Sequence, residues 1–230
     1  MARGKPKTSG GISDRTSAKN KGDRGSWILD AAAKLFAQSS FEQTAIAEIA
    51  AQASVAEGTI YRYFSTKEDL LFAVVTRMVQ TAYDNALAIM EKPQTPEQKL
   101  SAFVLNHFLQ IADHIDAARL FLFEVRGTQA YKTSKLRKLN SDYTNLLVNI
   151  LKQGQISNHF DSSIDPYIFR DIVFGGMDHA AQNLLIEEKR HSIADLAISM
   201  STYFLNSLQI RIKPGDELLG RLDSLVNRME

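Results

Sequence analysis

Cysteine is absent from the 230 residues, which removes disulfides, thiolate metal sites, a cysteine nucleophile and a thiol redox sensor from consideration. No uninterrupted apolar run approaches the roughly 20 residues of a spanning helix, and no charged-then-apolar leader follows Met1. The expected compartment is the cytoplasm. Catalytic signatures are missing too: no glycine-rich phosphate loop after a strand, no Gly-x-Ser-x-Gly elbow and no His-Glu-x-x-His. A lone Glu-x-x-His, Glu188 to His191, stands where a di-iron bundle needs two plus further carboxylates, so it reads as a solvated charged turn. The chain is therefore expected to be no enzyme and to hold neither metal nor cofactor. Hydrophobic content of 44% and charged content of 23% are those of an ordinary globular protein.

A net charge of +1 supplies no strong overall field, but its distribution is uneven. Arg3, Lys5, Lys7, Arg15, Lys19, Lys21 and Arg24 face only Asp14 and Asp23 in the first 24 residues, a segment rich in Gly and Ser. So little apolar surface predicts a disordered basic arm over 1–24. Two roles stay open for it: an extension along phosphate or into a minor groove, or a solubilising tail.

What is present is helical periodicity. Ser26 is an N-cap candidate for a helix whose Ile28, Ala31, Ala32, Leu35 and Phe36 share one face. Thr44 is placed to cap a second helix, 45–52, burying Ile46, Ile49 and Ala50, and Ala53-Ser54 turns into a third. In that third helix Ala56, Ile60, Tyr63 and Phe64 gather inward, leaving Gly58, Thr59, Tyr61 and Arg62 outward. Gly58 lowers helix propensity by about 1 kcal/mol, a loss that makes sense where another backbone must come close. These are the parts of a helix-turn-helix, whose third helix enters the major groove by its N-terminus.

Residues 27–71 resemble the DNA-binding domain of the TetR-type transcriptional repressors. The likeness rests on Thr44, Ile49 and Ala50, and on Gly58-Thr59-Ile60-Tyr61-Arg62-Tyr63-Phe64 followed by Lys67, Glu68 and Leu70. It implies that Thr44 touches phosphate, that Thr59, Tyr61 and Arg62 face the groove, and that Tyr63 and Lys67 hold the DNA backbone. Ser54 stands where the family usually has a turn glycine, and Ala45 where a second threonine is common. Glu57 should repel phosphate unless it accepts a cytosine N4 proton, and is read as a specificity residue.

Beyond the motif, Ser65 and Glu68 form a capping box for a helix over 66–91 that is long enough to join two domains. Thr95, Pro96 and Gln98 open another, with Leu100, Phe103, Val104, His107, Phe108 and Ile111 in its stripe. Further helices are expected over 116–126, 134–153 with Gly154 as the stop, 165–188 and 192–210, and a short amphipathic one within 214–230. Stripes running from Phe169 to Leu184 and from Ile193 to Leu208 suit a four-helix dimer interface, although they also suit a monomer core. The predicted fold is all-α. It divides into an arm (1–24), a helix-turn-helix domain (25–71), a ligand-binding and dimerisation domain (72–213) and a tail (214–230).

A ligand pocket in the second domain is expected from Phe103, His107, Phe121, Tyr143, Phe174 and Met177, each of which is equally suited to plain core packing. Arg126, Lys132, Lys135, Arg137 and Lys138 would suit phosphates or form a solvated basic face. The Phe121 to Arg126 and Phe174 to Asp178 stretches are similar to the TetR branch that represses fatty-acid degradation genes and responds to long-chain acyl-coenzyme A. Branches that sense cytotoxic aromatic compounds share the fold. The expected function is a homodimeric repressor on a palindromic double-stranded operator, released by a small apolar effector. An effector-independent DNA binder and an all-helical ligand carrier are the competing readings.

Overall fold

The computed structural model describes residues 13–186 and 192–208, and every regular element among them is helical. The first three helices are α1 (Ser13–Gln43), α2 (Ile46–Gln52) and α3 (Glu57–Tyr63). The long α4 (Lys67–Glu91) leads to α5 (Pro96–Asp113) and the short α6 (Ile115–Arg119), which runs into one widened π-turn, Leu120–Val125. After these come α7 (Gln129–Lys132), α8 (Lys135–Ile156), α9 (Pro166–Ile186) and α10 (Ile193–Ser207). No helix among the described residues is long and apolar enough to cross a membrane.

The all-α reading is borne out, and α4 shows why the two halves hold together. Its Leu70, Val74 and Val75 belong to a core built on Ile28, Phe36, Ile49 and Ile60, while its Ala82 and Ala86 belong to a second core around Phe103, Phe108 and Leu147. One continuous helix thus serves both, packed against α1, α5 and α8. Burying side chains of this size contributes roughly 1.5–3 kcal/mol apiece, which outweighs the weak intrinsic propensity of the shorter helices.

Local details depart from the sequence reading in instructive ways. The basic segment expected to be disordered over 1–24 is helical from Ser13 onward, because extending a helix already nucleated around Ile28 gains one hydrogen bond per residue fixed. Residues 1–12 lie outside the described residues, as do Glu188 to His191 and the amphipathic stretch 214–230. α4 is capped by Thr66 rather than Ser65: Asp69 N–H donates to Thr66 Oγ1 at 3.0 Å and Thr66 N–H to Asp69 Oδ2 at 3.1 Å. Phe64 leaves α3 in extended backbone to reach the core, and that moves the cap one residue along. The helix expected over 116–126 divides instead, its widened turn keeping Leu120, Phe121 and Val125 buried together.

Gly154 does not stop α8, which continues to Ile156. The Phe160 ring lies directly over Gly154, so a Cβ there would collide with it. The stop falls to Asn158, held in the left-handed region at φ 58°, a conformation asparagine tolerates. Ser192 caps α10 as expected, its Oγ accepting from Asp195 N–H at 3.0 Å.

Candidate nucleic-acid interface and ligand chamber

α3 buries just one of its own residues, Ile60, against α1 and α2. Everything else on it is turned toward the outside to some degree. Glu57, Gly58, Tyr61 and Arg62 are exposed, Thr59 is half-buried, and a Cβ at Gly58 would meet nothing within 4 Å. Tyr61 keeps 53% of its surface accessible, unusual for so large a ring and suited to a contact surface. Arg62 lies over the Tyr63 ring at 5.6 Å, and Tyr63 packs on the core as a half-buried anchor. Ala56, expected inward, is instead the exposed N-cap of α3.

Two residues assigned to phosphate by resemblance are occupied elsewhere. Thr44 is 1% exposed, its hydroxyl donating to the Ser40 carbonyl at 2.7 Å and the Leu35 carbonyl at 3.2 Å. It ties down the end of α1 and does not cap α2, whose N-cap is Ala45 with its N–H donating to Glu48 Oε2. Lys67 donates to the Glu42 carbonyl at 3.1 Å and sits 4.7 Å from the Phe41 ring centre, so it caps the C-terminal turn of α1. The turn between α2 and α3 holds Ser54 at φ 54°, the left-handed conformation that explains why a glycine is usual there.

In the second domain a chamber of about 50 Å³ lies among α4, α5, the π-turn, α8 and α9. Met78, Ile111, Phe121 and Phe174 form apolar walls. His107 and Gln110, one turn apart on α5, bring polar atoms into it. Of the residues expected to line a pocket, His107, Phe121, Arg126, Tyr143 and Phe174 do so. Phe103 and Met177 do not: both are fully buried, and Phe103 stacks behind Tyr143 with ring centres 5.2 Å apart. Phe123, two residues after Phe121, is exposed over 44% of its surface.

The chamber's polar groups form a short relay. Arg126 pairs with Asp178 on α9, and Asp178 Oδ1 stands 4.0 Å from His107 Nε2. On the other side of the imidazole, the Tyr143 hydroxyl is 3.3 Å from His107 Nδ1. Burial lowers the His107 pKa, Asp178 works against that and Arg126 adds to it, while burial pushes the Tyr143 phenol up. Both are therefore neutral at ordinary pH.

Arg126, Asn140, Thr144 and Phe174 also belong to a second cavity of about 470 Å³, open to the surface and flanked by Lys132, Arg137 and Arg170. The two cavities adjoin along the four shared residues, and Asp171, paired with Arg170 at 2.8 Å, also lines the outer one. Arg170 comes from α9 and was invisible to a sequence scan of the basic run after Arg126. Lys135 and Lys138 do not line this groove; Lys138 pairs with Asp142 at 2.6 Å along its own helix. Gln110, Asn140 and Thr144 were missed as well. Gln110 had a legible signal, being a polar residue in the same apolar stripe as His107.

A helix-turn-helix joined by one long helix to a chambered helical domain is the architecture of a helix-turn-helix transcriptional regulator. Residues 28–74 match the model of the bacterial regulatory proteins of the tetR family, and residues 75–207 that of the YsiA-like protein C-terminal region. The chain belongs to the TetR family. A fatty acid metabolism regulator protein of Bacillus subtilis (strain 168) is 27% identical over 173 residues, 75% of this chain and 89% of that protein. Among solved structures, the fatty acid degradation regulator FadR from Bacillus halodurans superposes with a TM-score of 0.74 at 28% identity, covering 82% of this chain and 97% of that one. FadR from Bacillus subtilis, solved in complex with stearoyl-CoA, gives a TM-score of 0.67 at 28% identity over 78% of this chain and 96% of that one.

Proposed function

We propose that this protein is a dimeric transcriptional repressor that an acyl-coenzyme A thioester releases from its operator. The observation carrying this reading is an apolar chamber adjoining a basic groove, with the four residues they share read as the neck between them. Such a site suits an amphiphile with an apolar acyl end and a polyphosphate head. Lys132 and Arg137 border the groove as charge-assisted donors for phosphate, beside Arg126 and Arg170, which are paired with Asp178 and Asp171. The stearoyl-CoA held by the Bacillus subtilis FadR at 28% identity supports the same ligand class.

Residues 25–71 read DNA, with α3 in the major groove and Glu57, Gly58, Thr59, Tyr61 and Arg62 toward base edges and phosphates. Residues 72–213 bind the effector and a second copy of the chain. For the dimer, α9 and α10 carry an apolar face on which Ile168, Ile172, Ile198 and Tyr203 each remain more than half exposed. Pairing this face across a two-fold axis would space two α3 helices for half-sites about 34–36 Å apart.

The π-turn links ligand to DNA. Its Phe121 and Leu122 line the chamber and Arg126 follows it, while the same turn packs against α1 and α4. A ligand that pushes on this wall therefore acts on the helices that carry α3. Typical coupling of about 1–3 kcal/mol corresponds to a 5–150-fold loss of operator affinity. The test is a thermal-shift and gel-shift series on the purified chain with its upstream DNA. A bound acyl-coenzyme A at 100 times its Kd raises stability by about 2.7 kcal/mol and frees the DNA. Release by planar aromatic cations, with no response to any coenzyme A ester, overturns this reading.

A further inference from the structure

The chamber contains two polar atoms that the surrounding apolar walls do not explain. His107 Nε2 and Gln110 Oε1 are buried, and neither has a hydrogen-bond partner among the described residues. Gln110 is 7% exposed, and the His107 side chain 13%. Asp178 Oδ1, at 4.0 Å from Nε2, is beyond hydrogen-bond reach. Three residues apart on α5, the two side chains are neighbours on one helix face and both line the same chamber. Buried polar groups in native proteins are paired in the great majority of cases, so an unpaired couple aimed into a ligand chamber signals what the ligand brings.

The hydrogen-bonding sense of the pair can be worked out. In the tautomer that leaves His107 Nδ1 as the acceptor, the Tyr143 hydroxyl 3.3 Å away donates to it. A neutral imidazole that accepts at Nδ1 carries its own proton on Nε2, making Nε2 a donor into the chamber. Gln110 Oε1 is an acceptor. A hydroxyl group satisfies both at once, accepting from His107 and donating to Gln110. A carbonyl oxygen can satisfy His107 alone, and a methylene satisfies neither.

We infer that the effector's acyl group carries a hydroxyl, which sits between His107 Nε2 and Gln110 Oε1. The chamber, about 50 Å³ against the roughly 150 Å³ that holds a benzene ring, admits an acyl chain only as its walls move. Because Arg126, Asn140 and Thr144 mark the neck, the hydroxyl belongs on the acyl part beyond the thioester and not on the coenzyme. This inference rests on the acyl-thioester reading above and narrows it to hydroxyacyl esters.

The deciding experiment is calorimetric titration of the full chain with hexanoyl-, 3-hydroxyhexanoyl-, 6-hydroxyhexanoyl- and stearoyl-coenzyme A, each followed by operator release. At least one hydroxylated ester is expected to bind roughly tenfold or more tighter than hexanoyl-coenzyme A, the factor that one buried hydrogen-bonding group supplies. Gln110→Leu should erase that preference by tightening hexanoyl binding and weakening hydroxyhexanoyl binding; circular dichroism checks that the variant folds. If hexanoyl-coenzyme A binds as tightly as both hydroxylated esters, water satisfies the two atoms and the hydroxyl assignment is overturned, with the thioester reading intact. Binding of stearoyl-coenzyme A alone also overturns it and likewise spares that reading. If none of the four esters binds, the thioester reading falls and this inference with it.

Discussion

The candidate DNA-reading helix and the candidate ligand chamber present opposite solutions to placing polar chemistry on a helix. α3 buries Ile60 and displays the rest, so its working residues sit in one run of seven, Glu57–Tyr63. The chamber gathers His107 from α5, Tyr143 from α8 and Asp178 from α9 and turns them inward, with the exposed Arg126 pairing to Asp178 from beyond the π-turn. A reader of an external surface is a local object. A sensor that must exclude water is assembled over long range, and it bears the desolvation of its polar groups as part of its design.

The largest expected effect breaks the reader and spares the sensor. Replacing Tyr61 and Arg62 with alanine removes two exposed side chains, so helicity and thermal stability should stay as they are. Specific operator binding should vanish in a gel shift, because each base contact contributes about 1–3 kcal/mol and a dimer counts it twice. Wild-type affinity in the double variant would remove α3 from the interface.

Phe103→Ala should do the reverse. The ring is fully buried and stacks behind Tyr143 with an edge-on contact to Phe174, so truncation is expected to destabilise the fold by about 3–5 kcal/mol. Denaturant unfolding measures this. A loss below about 1 kcal/mol would mean that Phe103 faces an adaptable pocket and not a packed wall.

A smaller effect follows from pH. Burial lowers the His107 pKa, opposed by Asp178 and reinforced by Arg126, so the folded chain resists the proton that the unfolded chain accepts. Stability should therefore be level above about pH 6.5 and decline below it until the folded pKa is passed, by at most about 1.4 kcal/mol per pH unit from this one group. Melting curves between pH 7.5 and 5.5 test the slope, and His107→Gln should flatten it. An identical slope in the variant assigns the acid sensitivity to other groups.

The smallest change sharpens the comparison from the reader's side. Ser54 holds φ 54° in the turn before α3, so Ser54→Gly should relieve up to about 1 kcal/mol of backbone strain and raise the melting temperature slightly. No gain, or a loss, would show that glycine's greater freedom in the unfolded chain outweighs the relief.

Helix periodicity and the ordered run from Gly58 to Leu70 were enough to read an all-helical chain with a helix-turn-helix at its front, although the expected caps Ser26, Thr44 and Ser65 were not the ones used. These properties depend on neighbours three or four residues away, which a sequence displays directly. Thr44 and Lys67 mark the limit of that legibility. As residue types both suit phosphate, and only packing shows one hydroxyl spent on the Ser40 and Leu35 carbonyls and one ammonium on the Glu42 carbonyl. The chamber lay further still from sequence reading. His107 stood out as a polar residue in an apolar stripe, but nothing local separates Phe121, on the cavity wall, from Phe103 behind it. Sequence by itself determined the helices, their faces and the reading motif, because short-range spacing dictates which side chains share a surface. Tertiary structure alone decided which buried groups meet across α5, α8 and α9, because that depends on how five separate elements pack, and no local spacing encodes it.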